Sequence, residues 1–73
     1  MRRLCEIETG TMVRIESVLA KDGLKERLLA LGLTKGSPVE VLRKGPKDNL
    51  TVYKIRGAMI ALRKEESTLI NVY

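Results

Sequence analysis

A mainly β fold is predicted for this chain: a small, partly open barrel of about five strands, with one short α-helix after the first strand. Three observations predict it. Glycines recur along the 73 residues and cut the chain into short pieces. Between them, apolar and polar residues alternate with the period of two that marks a half-buried strand. Only one segment, Leu24 to Leu31, carries instead the spacing of three and four that marks an amphipathic helix. Curling so short a sheet on itself hides edges that would otherwise invite aggregation, which favours a barrel. Size and a tight hairpin at Arg56-Gly57 favour an SH3-like barrel over an OB-fold.

The first strand is Thr11 to Val18, with Val13 and Ile15 on one side and Arg14 and Glu16 on the other. Asp22-Gly23 then opens the helix. Leu24, Leu28 and Leu31 recur with Lys25, Glu26 and Arg27 between them, and Asp22 can cap the free N–H groups. Gly32 can take the left-handed conformation that ends a helix and brings Leu33 back toward Leu28. After a turn at Thr34-Lys35-Gly36, a strand from Pro38 to Arg43 follows, its proline confined to a strand start or an edge. Gly45 to Asn49 is loop chemistry in nearly every position. Leu50 to Ile55 and Ala58 to Leu62 flank Arg56-Gly57, where glycine supplies the positive φ of a tight hairpin. Glu65-Glu66-Ser67 has room for one helical turn at most, and Thr68 to Tyr73 returns to a β pattern. Residues 1–73 thus read as one domain.

The composition bounds both stability and compartment. A chain this short buries only about 60% of the surface its unfolded form exposes. There is no Phe and no Trp, so the core must come from Leu, Val, Ile, Met and Ala, with Tyr53 and Tyr73 as the only rings. Cys5 stands alone, no intramolecular disulfide can form, and a reducing cytoplasm is the expected compartment. Glu6 and Glu8 fall where a signal peptide needs about 7–15 apolar residues. Nor does any apolar stretch approach the ~18–20 residues that cross a bilayer.

Histidine is absent, which removes the commonest general base and the commonest transition-metal ligand together. Ser17, Ser37 and Ser67 therefore lack the base of a Ser-His-Asp arrangement, and neither standard glycine-rich phosphate loop occurs. The expectation is a protein that is not an enzyme and carries no cofactor. Cys5, Glu6 and Glu8 are the weak candidates for a metal site, one thiolate and two carboxylates close in sequence. The plainer reading makes Cys5 a small apolar residue entering the first strand, with both glutamates solvated.

The positive charge is concentrated. Arg43, Lys44, Lys47, Lys54, Arg56, Arg63 and Lys64 face Asp48 alone, so this segment holds the whole surplus of the chain. A basic face of this kind suits nucleic acid, an acidic partner protein, or anionic lipid headgroups at about 1 kcal/mol per cation. Base stacking needs aromatic platforms, and only Tyr53 lies in the segment, which speaks against nucleic acid. Simple solvation of strand faces and hairpin tips is the bland alternative. In the helix, Leu24, Leu28, Leu29 and Leu31 span more than one stripe, so one or two are expected to stay exposed and bind a partner. Leu24, Lys25, Arg27 and Leu28 are the predicted contact residues.

Taken in order, these segments carry a family resemblance. Thr9-Gly10, a strand, the run Arg27-Leu28-Leu29-Ala30-Leu31-Gly32-Leu33-Thr34-Lys35-Gly36-Ser37-Pro38-Val39-Glu40-Val41, and Ile55-Arg56-Gly57-Ala58-Met59-Ile60-Ala61-Leu62-Arg63 together resemble the FeoA family over nearly the whole chain. The Leu-Gly-Leu-Thr-Lys-Gly run and the Arg-Gly hairpin are its most specific parts. The central loop Gly45 to Asn49 is shorter than is usual in the family, and Glu65-Glu66-Ser67-Thr68 departs from a small residue near the end. The resemblance implies an SH3-like barrel that assists bacterial ferrous iron uptake by contacting FeoB, a membrane transporter with a cytoplasmic GTP-binding domain, as a monomer or weak oligomer. The resemblance also implies the inner face of the membrane as a second contact. A related barrel forms the last domain of DtxR-type metal-dependent repressors, which leaves peptide binding in a groove as an alternative.

Overall fold

The computed structural model describes residues 2–73, with Asp48 described in its backbone only; residue 1 of the predicted domain lies outside the described residues. Alternation in sequence becomes alternation across a sheet wherever a strand has one wet face. Strand β2 (Met12–Val18) buries Val13 and Ile15 and exposes Met12 and Arg14. Strand β3 (Pro38–Lys44) buries Val39 and Val41, and β4 (Leu50–Ile55) buries Thr51, Tyr53 and Ile55. Strand β5 (Ala58–Arg63) buries Leu62, whereas β6 (Ile70–Val72) is buried at every residue.

Among the described residues the sheet has six strands, in the order β1-β6-β2-β3-β4-β5, with β1 formed by Arg2–Arg3. All neighbours are antiparallel. One strand more than the five expected is present, because Arg2 and Arg3 pair with Val72 and Asn71 through their backbones. Cys5 is displaced in consequence: it sits in a 3₁₀ turn over Leu4–Glu6, not in a strand. Strand β2 holds the two halves together, pairing with β3 through Met12–Arg14 and with β6 through Ile15–Val18. An irregularity between Ile15 and Ser17 bends it at the changeover, and the sheet curls into a partly open barrel.

The interior is aliphatic apart from one ring. Leu4, Ile15, Leu28, Leu33, Val39, Val41, Tyr53, Ile55, Leu62 and Ile70 have no exposed surface at all. Helix α1 (Asp22–Ala30) lies outside the sheet and is pinned by Leu28, its one fully buried residue. Its end follows the predicted pattern. The Gly32 amide donates to Leu29 O at 3.0 Å and the Leu33 amide to Leu28 O at 3.2 Å, with Gly32 at φ +107. Its start does not. Lys21 occupies the cap position without a side-chain bond, and Asp22 takes φ +53, its carboxylate accepting no capping N–H. The backbone turns at Asp22 itself, a residue whose short polar side chain tolerates that region.

The β4–β5 hairpin closes in two residues, Arg56 at φ +50 and Gly57 at φ +79. Two successive positive φ values match the right-handed twist of the strands they join. The helical turn foreseen near Glu65 is α2 (Lys64–Ser67), directly after β5.

Candidate functional site

The two segments most specific to the resemblance meet in space. A Cβ placed on Gly32 would lie 2.9 Å from Arg56 Cδ and 3.0 Å from Ile55 Cγ2, so the end of α1 and the hairpin turn are packed backbone against side chain. Arg56 Nη2 also donates to Thr34 Oγ1 at 3.1 Å, and Thr34 Oγ1 is 2.7 Å from Ser37 Oγ. The Leu-Gly-Leu-Thr-Lys-Gly run and the Arg-Gly turn are thus one junction, fixing how α1 sits on the barrel.

The predicted contact residues divide at that junction. Lys25 is exposed, Leu24 is half-buried against the core, and Leu29 is partly exposed. Leu28 is corrected: it is wholly buried, since it is the residue that anchors the helix, and it has no surface to offer a partner. Arg27 is exposed but engaged, its Nη1 2.5 Å from Glu66 Oε2. The other oxygen of Glu66 accepts the Arg63 amide at 2.9 Å. One carboxylate thereby ties α1 to the junction of β5 and α2, and these bonds, the Arg27 bond foremost, hold it below the usual carboxylate range. Sequence reasoning missed Glu66. Its position three residues after the Arg63 cap is the only local signal, and arginine is not a residue that announces a helix start.

The basic segment is not one face. Strand alternation puts Arg43, Lys54 and Arg63 on the outer side of the sheet: Arg43 lies beside Val52, Lys54 between Glu40 and Met59, and Arg63 beside Leu50. Lys44 falls in the opposite row, across from buried Thr51, at the barrel rim. Arg56 is bonded to Thr34, Lys47 stands in the loop after β3 at φ +58, and Lys64 begins α2. Tyr53, the ring of this segment, is fully buried and presents no stacking surface. Among the described residues no side chain meets its hydroxyl at full hydrogen-bond geometry; burial raises its pKa, and the nearby Ser67 and Thr51 hydroxyls oppose that rise.

The three candidate metal ligands do not converge. Glu6 turns back to accept the Arg3 amide at 2.8 Å, Glu8 is exposed, and Cys5 is half-buried on the Tyr53 side. Among the described residues no three His, Cys, Asp or Glu side chains group as metal ligands, and no helix is long and apolar enough to cross a membrane.

A family model described as FeoA domain matches residues 2–73. The solution structure of FeoA from Chlorobium tepidum superposes with a TM-score of 0.91 at 29% identity, covering 99% of this chain and 69% of that one. Zinc-bound FeoA of Stenotrophomonas maltophilia, described as a procaryotic SH3 domain protein, gives 0.88 at 30% identity over 100% of this chain and 91% of that one. A manganese-dependent transcriptional repressor shares the fold, with a TM-score of 0.86 at 18% identity over 97% of this chain and 40% of its own. No curated protein matches the sequence.

Proposed function

The chain belongs to the FeoA family, and on that premise we propose that it assists ferrous iron uptake by docking on the cytoplasmic side of the FeoB transporter, without catalysis of its own. The role is scaffolding or regulation of that partner. The observation that carries the reading is the division of α1 into an inner side, where Leu28 is buried and Leu24 packs half-buried against the core, and an outer side where Lys25 and the partly exposed Leu29 are adjacent. An exposed apolar side chain beside a cation is suited to a protein partner, the leucine supplying burial and the charge supplying orientation. The outer-face cations Arg43, Lys54 and Arg63 support a secondary attraction to anionic headgroups, at about 1 kcal/mol each near a membrane surface.

Lys25 and Leu29 are the residues to change, because reversing Arg27 would also release Glu66 and loosen the helix. The double variant Lys25→Glu/Leu29→Glu should cut co-purification with detergent-solubilised FeoB by about tenfold, equivalent to about 1.4 kcal/mol of lost contact. Its thermal midpoint should stay near that of the parent, since both side chains point outward. Undiminished binding would remove this side of α1 as the docking surface.

A further inference from the structure

Strand β5 is paired on one side only. Its two-residue hairpin fixes where its backbone points: Ile55 and Ala58 close the turn as a hydrogen-bonded pair, so Ala58, Ile60 and Leu62 face β4. Met59 and Ala61 then direct their N–H and C=O groups away from the sheet. Among the described residues these groups meet no partner within the protein. The row stops at Arg63, whose amide is taken by Glu66 Oε1 at 2.9 Å. Nothing covers the row, for Met59 is 74% exposed and Ala58 and Ala61 are exposed as well.

An open apolar edge is a liability that proteins usually blunt with an edge lysine, a proline or a bulge. Within β5 itself there is none of these before Arg63. The charges stand around the row instead. Lys54 is directly across from Met59 with Glu40 on its other side, Arg56 precedes the strand, Arg63 ends it and Lys64 follows it, and no acidic residue falls between Lys54 and Lys64. We propose that the Met59–Ala61 edge of β5 takes up an extended acidic segment of another protein by strand addition. The added strand would bond to the free amides and carbonyls of Met59 and Ala61, while its carboxylates meet the flanking cations. Charge decides against a second copy as the occupant. Antiparallel self-pairing with Met59 opposite Ala61 brings the Arg56 turn of each copy toward Lys64 at the start of α2 of the other, so like charges oppose the pairing.

This surface is separate from the outer side of α1, so either can fail alone. The test uses the full chain and two synthetic probes, acetyl-Glu-Val-Glu-Val-Glu-Val-amide and its counterpart with lysine at each glutamate, read by backbone amide NMR. The acidic peptide should give saturable shifts centred on Met59 and Ala61, slow the exchange of those two amides, and bind less tightly as salt rises. The lysine peptide should leave them unmoved. Ala61→Pro removes an outward N–H that makes no internal bond, so the barrel should persist and binding should vanish. Should that variant misfold, Lys54→Gln/Lys64→Gln removes both charges without placing like charges across from Glu40 and should weaken the acidic peptide several-fold. Equal binding of both peptides, shifts that avoid β5, or no shifts at millimolar acidic peptide would overturn the proposal. Concentration-dependent self-association through Met59 and Ala61 would overturn it too, by naming a second copy as the occupant.

Discussion

Replacing Gly32 with alanine should be one of the costliest single-methyl changes in this protein, and the cost can be assembled from its surroundings. At φ +107 an L-residue is strained by about 1–3 kcal/mol. The new methyl would sit 2.9 Å from Arg56 Cδ and 3.0 Å from Ile55 Cγ2. The arginine stem can swing aside. Ile55 cannot, because it is fully buried, and overpacking of that kind costs about 1–3 kcal/mol. Loss of freedom in the unfolded chain returns about 0.4–1 kcal/mol. The net expectation is destabilisation by about 1–6 kcal/mol, centred near 3 kcal/mol, which is roughly 12–24 °C in a domain of this size. Urea denaturation followed by far-ultraviolet circular dichroism measures it directly. Gly23→Ala is the control: that glycine lies inside α1 with open space around it, so the same methyl should stabilise by about 0.5–1 kcal/mol. A Gly32→Ala loss below about 1 kcal/mol would refute the reasoning, since it would mean that α1 and the hairpin can separate without consequence.

Tyr53→Phe should be neutral or stabilise the barrel by up to about 1 kcal/mol, because it deletes a buried hydroxyl whose neighbours Ser67 and Thr51 fall short of full hydrogen-bond geometry among the described residues. The same variant should flatten the alkaline limb of the stability curve. Burial raises the Tyr53 pKa, so its contribution is present below the unfolded value near 10 and is lost as pH rises through the higher folded value. A destabilised Tyr53→Phe protein would show that the hydroxyl is held after all. Glu66 acts at the other end. Its folded pKa is depressed, so its stabilisation is present above the unfolded value near 4.3 and disappears as pH falls through the lower folded value. Glu66→Gln should therefore be less stable at neutral pH and lose less on acidification, and an acid limb identical to that of the parent would exclude the Arg27–Glu66 pair as its source.

What was legible in the sequence was local. Gly32 and Leu33 announce the end of α1 because a left-handed residue and its returning hydrogen bonds span only a few positions, and Arg56-Gly57 announces a hairpin for the same reason. Asp22 misled because an aspartate before a leucine-rich run fits both a cap and a turn, and only the observed φ separates them. Arg2 and Arg3 carry no β signal of their own. They are strand only because Val72 and Asn71 offer a backbone edge. Leu28 could not be told from its neighbours by spacing alone, since four leucines share the run and packing decides which one is buried. The charge count was right as a count and misleading as a surface, because alternation and the hairpins send the cations of one segment to different sides. Glu66 was invisible, its partner Arg27 lying 39 residues away.

The position of β6 between β1 and β2 bears on how the chain is made. The pairings that unite the two halves of the barrel join Arg2 to Val72 and Ile15 to Val72, contacts that span most of the sequence. Contacts so distant are slow to form. On the ribosome the β3–β4–β5 meander can assemble while its neighbours wait, but Leu4 and Ile15 have no complete interior to enter until residue 72 has left the exit tunnel. Until then the interior lacks Ile70 and Val72, and the apolar side chains that β6 covers stay in the open, the state in which a nascent chain is most exposed to aggregation.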